Sequence, residues 1–293
     1  MTIPQAPPVE GEHPLENLAN QKLKTKRWFH DPLLVVGIVI VGVAIFLAAF
    51  GEAIAPYDPT VPVGPPSVPP SSAHWFGTDT SGLDVFSRVI SAPRIDVTLA
   101  VSAALLSGIF GTLIGLMAGF YRGVFSSLVM RISDVLQAFP VFILAMVLVA
   151  LSGRNLTNLI FALTFLYTPI FIRLTRAEVL TQRERSYVEA ARAAGNSDFK
   201  IALKHVLPNS LTPSLIQLSV TVGFGILLTA GLSFVGAGVR PPNPEWGLMI
   251  ANSAPQLVLG EWWTSLFPGI AVSLTVVGFA ALSNAIERRV ATS

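Results

Sequence analysis

Six stretches of this chain run for roughly 18 residues or more without a charged side chain, long enough for a helix to cross a hydrocarbon core of about 30 Å. They lie within residues 33–50, 97–121, 135–153, 155–172, 206–239 and 262–286. Lipid offers backbone N–H and C=O groups no partner, so each stretch must satisfy them internally as a helix. The alternating pattern of a membrane β-barrel is absent. The expected fold is all-α and integral to the membrane, with six transmembrane helices. Composition agrees: 52% of residues are hydrophobic and only 12% charged, about half the roughly 25% charge of soluble domains.

The placement of charge predicts a topology. With the N-terminus in the cytoplasm, the inside segments hold Lys22, Lys24, Lys26, Arg27, Arg122, Arg131, the seven basic residues from Arg173 to Lys204, and Arg288 and Arg289. That is 15 of the 19 Lys and Arg, with only Arg88, Arg94, Arg154 and Arg240 outside. The positive-inside rule then favours two cytoplasmic termini and an even number of spans. The first apolar run starts too deep for a cleavable secretory signal and is expected to stay as an anchor. With no cysteine in the chain there is no disulfide, thiolate metal site or Cys nucleophile. His13, His30, His74 and His205 lack metal-ligand spacing.

Organisation follows from these signals. Residues 1–31 read as a cytoplasmic tail whose basic run, 22–27, can rest on anionic lipid headgroups. Residues 32–55 form the first transmembrane helix, and 56–96 an extracytoplasmic arm. Seven prolines in "PYDPTVPVGPPSVPP" favour extended geometry in this arm, and a short amphipathic helix along the outer surface should follow. Residues 97–287 make the permeating core, with a cytoplasmic loop at 173–209, and 288–293 return to the cytoplasm.

Within the core, Gly111, Gly115 and Gly119 repeat at i, i+4, i+8, a face that lets another helix approach closely or, alternatively, lines a groove. Arg131 and Asp134 share one helical face and are expected to neutralise each other. Residues 206–239 are too many for one simple span, and five glycines from Gly223 to Gly238 should loosen it. Its end, "GLSFVGAGVRPPNPEWGLMIANSAP", reads as a broken or re-entrant element and a candidate pore lining. Phe139, Gln217, Thr221 and Phe224 are candidates for the substrate path by position.

The polar run "SYVEAARAAGNSDFKIALKHVLPNS", residues 186–210, predicts a helix-turn-helix hairpin. Ser186 and Glu189 have capping-box spacing, Gly195 suits a left-handed helix end, Asn196 or Ser197 caps a second helix, and Pro208 stops it. Ala190, Ala191, Ala193 and Ala194 give the hairpin a thin flank that can enter a groove on another protein. Taken alone, Glu189 is a helix cap and Gly195 a helix stop.

The same loop resembles the EAA signature of ATP-binding-cassette importer permeases: Glu189, Ala190, Ala191, three residues, Gly195, eleven residues, then Leu207 and Pro208. His205 stands where that signature usually has Ile. "HWFGTDTSGLDVFSRVISAPRIDV" and "LSFVGAGVRPPNPEWG" are similar to segments of the dipeptide, oligopeptide and nickel branch, C-type subunit. The resemblance implies a complex of two permease subunits, two cytoplasmic ATPases carrying ATP and magnesium, and an extracytoplasmic peptide-binding protein. It makes residues 187–207 a coupling hairpin, with Tyr187, Glu189, Ala190, Ala191, Arg192, Gly195, Leu207 and Pro208 at the ATPase contact. Glu189 and Arg192 would make the charged contacts. No cofactor is expected in this chain: no Gly-Lys dipeptide occurs, hence no phosphate-cradling loop. Neither a catalytic role nor a nucleic-acid partner is expected. Nickel or another small solute is the rival cargo. An ion-coupled transporter is a distant alternative, since such machines want ionisable groups at mid-membrane and the span centres here carry none. A membrane enzyme lacks a nucleophile-base pair.

Overall fold

The structure, a computed structural model, describes residues 32–290, and it is all-helical apart from loops and one isolated β-bridge between Thr78 and Asp84. Expectations for residues 1–31 and 291–293 lie outside the described residues. The helices are α1 Pro32–Ile54, α2 Val85–Ser91, α3 Pro93–Phe120, α4 Val124–Ala138, α5 Val141–Ser152, α6 Leu156–Gln182, α7 Ser186–Ala193, α8 Asp198–Ile201, α9 Leu207–Ser210, α10 Thr212–Phe234, α11 Trp246–Ser253 and α12 Trp263–Val290. By length and apolarity α1, α2 with α3, α6, α10 and α12 can each cross a membrane. A sixth crossing exists only if α4 and α5, bent by 95°, count as one span.

That bend falls within the stretch 135–153 expected as one span. Pro140 follows an extended Phe139 (φ −84°, ψ 142°), the conformation favoured before proline, so the helix ends at Ala138 and restarts at Val141. α4 lies across the end of α6: Ser126 accepts from Arg176 Nε at 3.1 Å, while Leu128, Ile132 and Val135 point outward. Asp134 pairs with Arg173 of α6 at 2.7 Å, which supersedes the expected Arg131 partnership. A tertiary partner one helix away has displaced the local one.

The helix α3 packs along α6, and the small face makes this possible. A Cβ built on Gly111, Gly115 or Gly119 would meet Phe171, Thr175 or Val179 of α6 at 2.5 to 2.9 Å. The glycines therefore close a helix seam, where α3 and α6 touch backbone to backbone.

The stretch 206–239 resolves into one uninterrupted 23-residue helix, α10, preceded by the short α9 and followed by a loop. Its glycines do not loosen it, because neighbours fill the space they leave; Gly225, for instance, faces Ala100 of α3. Beyond Phe234 the chain loops to α11, whose Trp246, Leu248 and Met249 are buried against α10 and α12. The broken element is thus a docked helix followed by a 3₁₀ turn, Ala254–Leu259. The N-terminal cap of α11 is Glu245, fully buried, accepting from Gly247 and Leu248 N–H at 2.9 and 2.6 Å. Burial pushes this carboxyl above its ordinary range.

The proline-rich arm is ordered by polar ties. His74 Nδ1 lies 2.9 Å from Asp84, whose other oxygen accepts from Ser87 N–H and Oγ at 2.8 and 2.7 Å. Trp263 Nε1 donates to Thr78 O at 3.2 Å, joining the arm to α12. The helix expected on the outer surface is α2, and it is mostly buried: Val85, Ser87, Arg88, Val89 and Ser91 all face inward beneath the arm. Trp246 and Trp263 supply the apolar cover it packs against.

Candidate functional site

Two regions gather the residues singled out in the sequence, at the hairpin end and along a groove between helices.

The hairpin begins at Arg185, not Ser186. Arg185 is the extended cap residue (φ −80°, ψ 146°), and no side chain caps the helix. Ser186 is already helical, so its hydroxyl cannot act as an N-cap acceptor and the expected capping box does not form. Gly195 does adopt the left-handed conformation, with φ 81°. Ser197 caps α8 by accepting from Lys200 N–H at 3.4 Å. Pro208 does not end the second helix. The chain widens into a π-helical turn, Ala202–Val206, and Pro208 sits in the first turn of α9, directly after it.

What seats the hairpin is apolar. Val188, Ile201, Ala202 and Val206 are buried with Leu116 and Phe120 of α3 and Val179 of α6, and Tyr187, Ala191 and Leu207 pack onto that cluster. Arg183 fastens the same junction from beneath, donating to Gly119 O and Phe120 O at 3.2 and 2.7 Å, where the α3 C-terminus leaves carbonyls unpaired. Burial, with Arg122 nearby, lowers its pKa, yet a guanidinium stays charged at any physiological pH. Arg192 is held on the hairpin itself, with Nε 3.1 Å from Asp198 and its guanidinium 5.8 Å from the Phe120 ring centre.

The outward face of the hairpin presents Glu189, Ala190, Ala193, Ala194, Gly195 and Pro208. It also presents Phe199, 56% exposed, which the sequence reading missed. A large aromatic between the polar residues Asp198 and Lys200, just past the Gly195 turn, was the available signal.

The second region is a groove of about 560 Å³ between α4, α5, α6 and α10. Phe139, Gln217, Thr221 and Phe224 all line it, so the structure brings these four positions together. Gln217 Nε2 donates to Thr221 Oγ1 at 3.3 Å. Sequence reasoning missed Gln137 and Tyr167, which line the same groove from the far wall. The place of Gln137, at the end of α4, goes with the α4–α5 bend, which no periodicity in the sequence announced. The groove's polar groups are neutral amides and hydroxyls; no charged side chain lines it.

A multi-pass helical membrane protein with a seated polar hairpin at one end and a side groove between its helices has the architecture of a transport permease. Residues 111–292 match the family model described as binding-protein-dependent transport system inner membrane component, and the chain belongs to that family. Residues 23–70 match the N-terminal TM domain of oligopeptide transport permease C. Similar proteins include the "Probable D,D-dipeptide transport system permease protein" of Escherichia coli (strain K12), 36% identical over 258 residues, 88% of this chain and 86% of that one. The dipeptide transport system permease protein of Alkalihalophilus pseudofirmus is 35% identical over 286 residues, 97% and 93% of the two chains. The glutathione transport system permease protein of Pectobacterium atrosepticum is 38% identical over 218 residues, 74% and 72% of the two. The chain is thus one component of a multi-part importer and a multi-pass membrane protein.

Proposed function

We propose that this chain forms half of the translocation path of an ATP-driven importer for short peptides. It works with a second homologous permease, two cytoplasmic ATPases that hold ATP and magnesium, and an extracytoplasmic binding protein that delivers the cargo. In this reading both termini and the 173–209 loop face the cytoplasm and the arm, 56–96, faces out. The chain itself catalyses nothing.

The observation that carries the proposal is the way the hairpin is attached. Its buried face is one apolar unit with the ends of α3 and α6, while Glu189, Ala190, Ala193, Ala194 and Phe199 remain free for another protein. A push on the exposed face therefore moves α6, and α6 carries Leu166, Tyr167 and Ile170 of the groove wall. ATP shifts such an equilibrium only through contacts that differ between the two states, and the hairpin contact is where that difference enters. The neutral groove suits peptide backbone, whose amides ask for hydrogen bonds and not a fixed charge, and this favours peptides over nickel. The names of the similar proteins point the same way.

The test uses the absence of cysteine in the chain. Ala190→Cys should cross-link to a cysteine placed on the ATPase, with a yield that changes on adding nucleotide. No cross-link in any nucleotide state would remove the coupling assignment.

A further inference from the structure

Where α11 docks on α3, at the arm end of the bundle, two carboxylates meet in the interior. Asp96, in the first turn of α3, is 1% exposed, and Glu245, the cap residue of α11, is 0% exposed. The free N–H groups at the start of α11 serve both. Trp246 N–H donates to Asp96 Oδ2 at 3.1 Å, and Gly247 and Leu248 N–H donate to the two Glu245 oxygens at 2.9 and 2.6 Å. Three of the four carboxylate oxygens are thereby satisfied by backbone. The fourth, Asp96 Oδ1, is buried with no donor. The two carboxyl groups also lie within hydrogen-bond reach of each other, a contact that needs a proton because two carboxylates can only accept.

No neighbouring element brings a cation to the pair. Arg88 of α2 turns its guanidinium to the Pro59 and Pro242 carbonyls at 2.7 and 3.1 Å and to Asp79 at 3.9 Å. Arg94 pairs with Glu52 of α1 on the exposed surface. From α10 comes only the Ser233 hydroxyl, α11 holds no ionisable residue, and those of α12 stand at its far end, from Glu287 onward. Nor can the carboxylates swing apart. Trp246 is 2% exposed, with its Nε1 donating to Val89 O at 3.0 Å, and a Cβ built on Gly247 would lie 2.4 Å from the Ala230 backbone of α10. Two anions fixed side by side in the interior, with no cation, are far costlier than one anion and one neutral acid.

We propose that Asp96 and Glu245 hold one proton between them at neutral pH, carried on Asp96 Oδ1 and donated to Glu245, and that this proton helps clamp α11 onto α3. It supplies the one donor that the α11 N-terminus does not, and it leaves a single negative charge for three backbone N–H groups. The joint is then sensitive to alkali, because removing the proton leaves two adjacent buried anions. In the unfolded chain both carboxyls ionise near their ordinary range of about 4. At neutral pH the folded state therefore holds one proton more than the unfolded state. Stability falls as pH rises above that range, by up to roughly tenfold in the unfolding equilibrium per pH unit, until the pair itself ionises. This proton does not depend on the nature of the cargo.

Asp96→Asn tests this, since its amide keeps an oxygen for Trp246 N–H and places a permanent N–H where the proton is proposed. Two measurements on the intact transporter, wild type and D96N, read the result. Infrared spectra at neutral pH should show the C=O stretch of a neutral carboxylic acid in the wild type, and the difference spectrum should show that band lost in D96N. Unfolding by denaturing detergent in mixed micelles, from mildly acidic to mildly alkaline pH, should give a wild-type equilibrium that shifts toward the unfolded state by roughly tenfold more per pH unit than that of D96N. A wild-type spectrum without a neutral carboxyl band overturns the proposal by itself, as does a band that D96N retains. Parallel pH dependences of the two proteins overturn it as well. A D96N protein that fails to assemble at neutral pH also contradicts it, because the amide should stand in for the proton.

Discussion

The seam between α3 and α6 carries any motion from hairpin to groove, and Gly115 is, with Gly111, one of its two tightest points against backbone. A Cβ at this position lies 2.7 Å from the Ile172 carbonyl oxygen and 2.9 Å from Thr175 Cβ, where ordinary contact begins at 3.4 Å. Neither neighbour is the end of a flexible side chain, so the helices must part. A gap of about 0.7 Å already forfeits roughly a quarter to a half of each atom pair's attraction along the seam. Overpacking of this kind costs about 1–3 kcal/mol. Alanine's better helix propensity offsets up to about 1 kcal/mol of that, so a control is needed. Gly42 on α1 supplies it, since a Cβ there meets nothing within 4 Å. Unfolding in mixed micelles titrated with denaturing detergent should place Gly115→Ala about 1–3 kcal/mol below Gly42→Ala. Equal stability of the two variants would refute the claim that backbone contact at this seam holds the helices together.

Four further outcomes follow from the same structure. Gly195→Val forces a β-branched residue to φ 81°, a strain of at least about 1–2 kcal/mol; insertion should be normal while uptake falls relative to ATP hydrolysis, measured side by side in proteoliposomes. Gln217→Leu removes the amide that bonds Thr221 in the groove, and should cut peptide uptake severalfold without changing the thermal midpoint or basal ATP hydrolysis. Glu245→Gln turns an amide N–H₂ toward one of two N–H donors that the carboxylate now accepts, and should lower stability by about 1–3 kcal/mol. Asp96→Asn keeps an oxygen for Trp246 N–H, now 3.1 Å from Asp96 Oδ2, so thermal melts in detergent should show it as the milder change.

Much of the fold was legible because lipid permits so few solutions. Long uncharged runs, a glycine repeat and a hairpin punctuated by Gly195 each reflect a local rule that the surroundings had no reason to override. The misses have one common cause, which is tertiary choice between local options of nearly equal energy. Ser186 had capping-box spacing, yet burial of Val188 goes with a start one residue earlier. Asp134 had Arg131 one turn away and took Arg173. Pro208 could have stopped a helix, and a π-helical turn absorbed it. The bend at Pro140 was readable as a helix break, but its angle depends on what α4 and α5 pack against. Phe139, Gln217, Thr221 and Phe224 were chosen by position along their helices, and that same bend brings Phe139 beside α10.

The central claim is that nucleotide hydrolysis by partner subunits, acting through the hairpin, drives peptide through this chain. Uptake of a labelled dipeptide into proteoliposomes holding the two permeases, the ATPases and the binding protein tests it most directly, comparing working ATPases with hydrolysis-dead ones under no ion gradient. Accumulation that requires ATP and disappears with the dead ATPases is the expected result. Accumulation that persists without hydrolysis, or that follows an imposed proton or sodium gradient instead, would contradict the account.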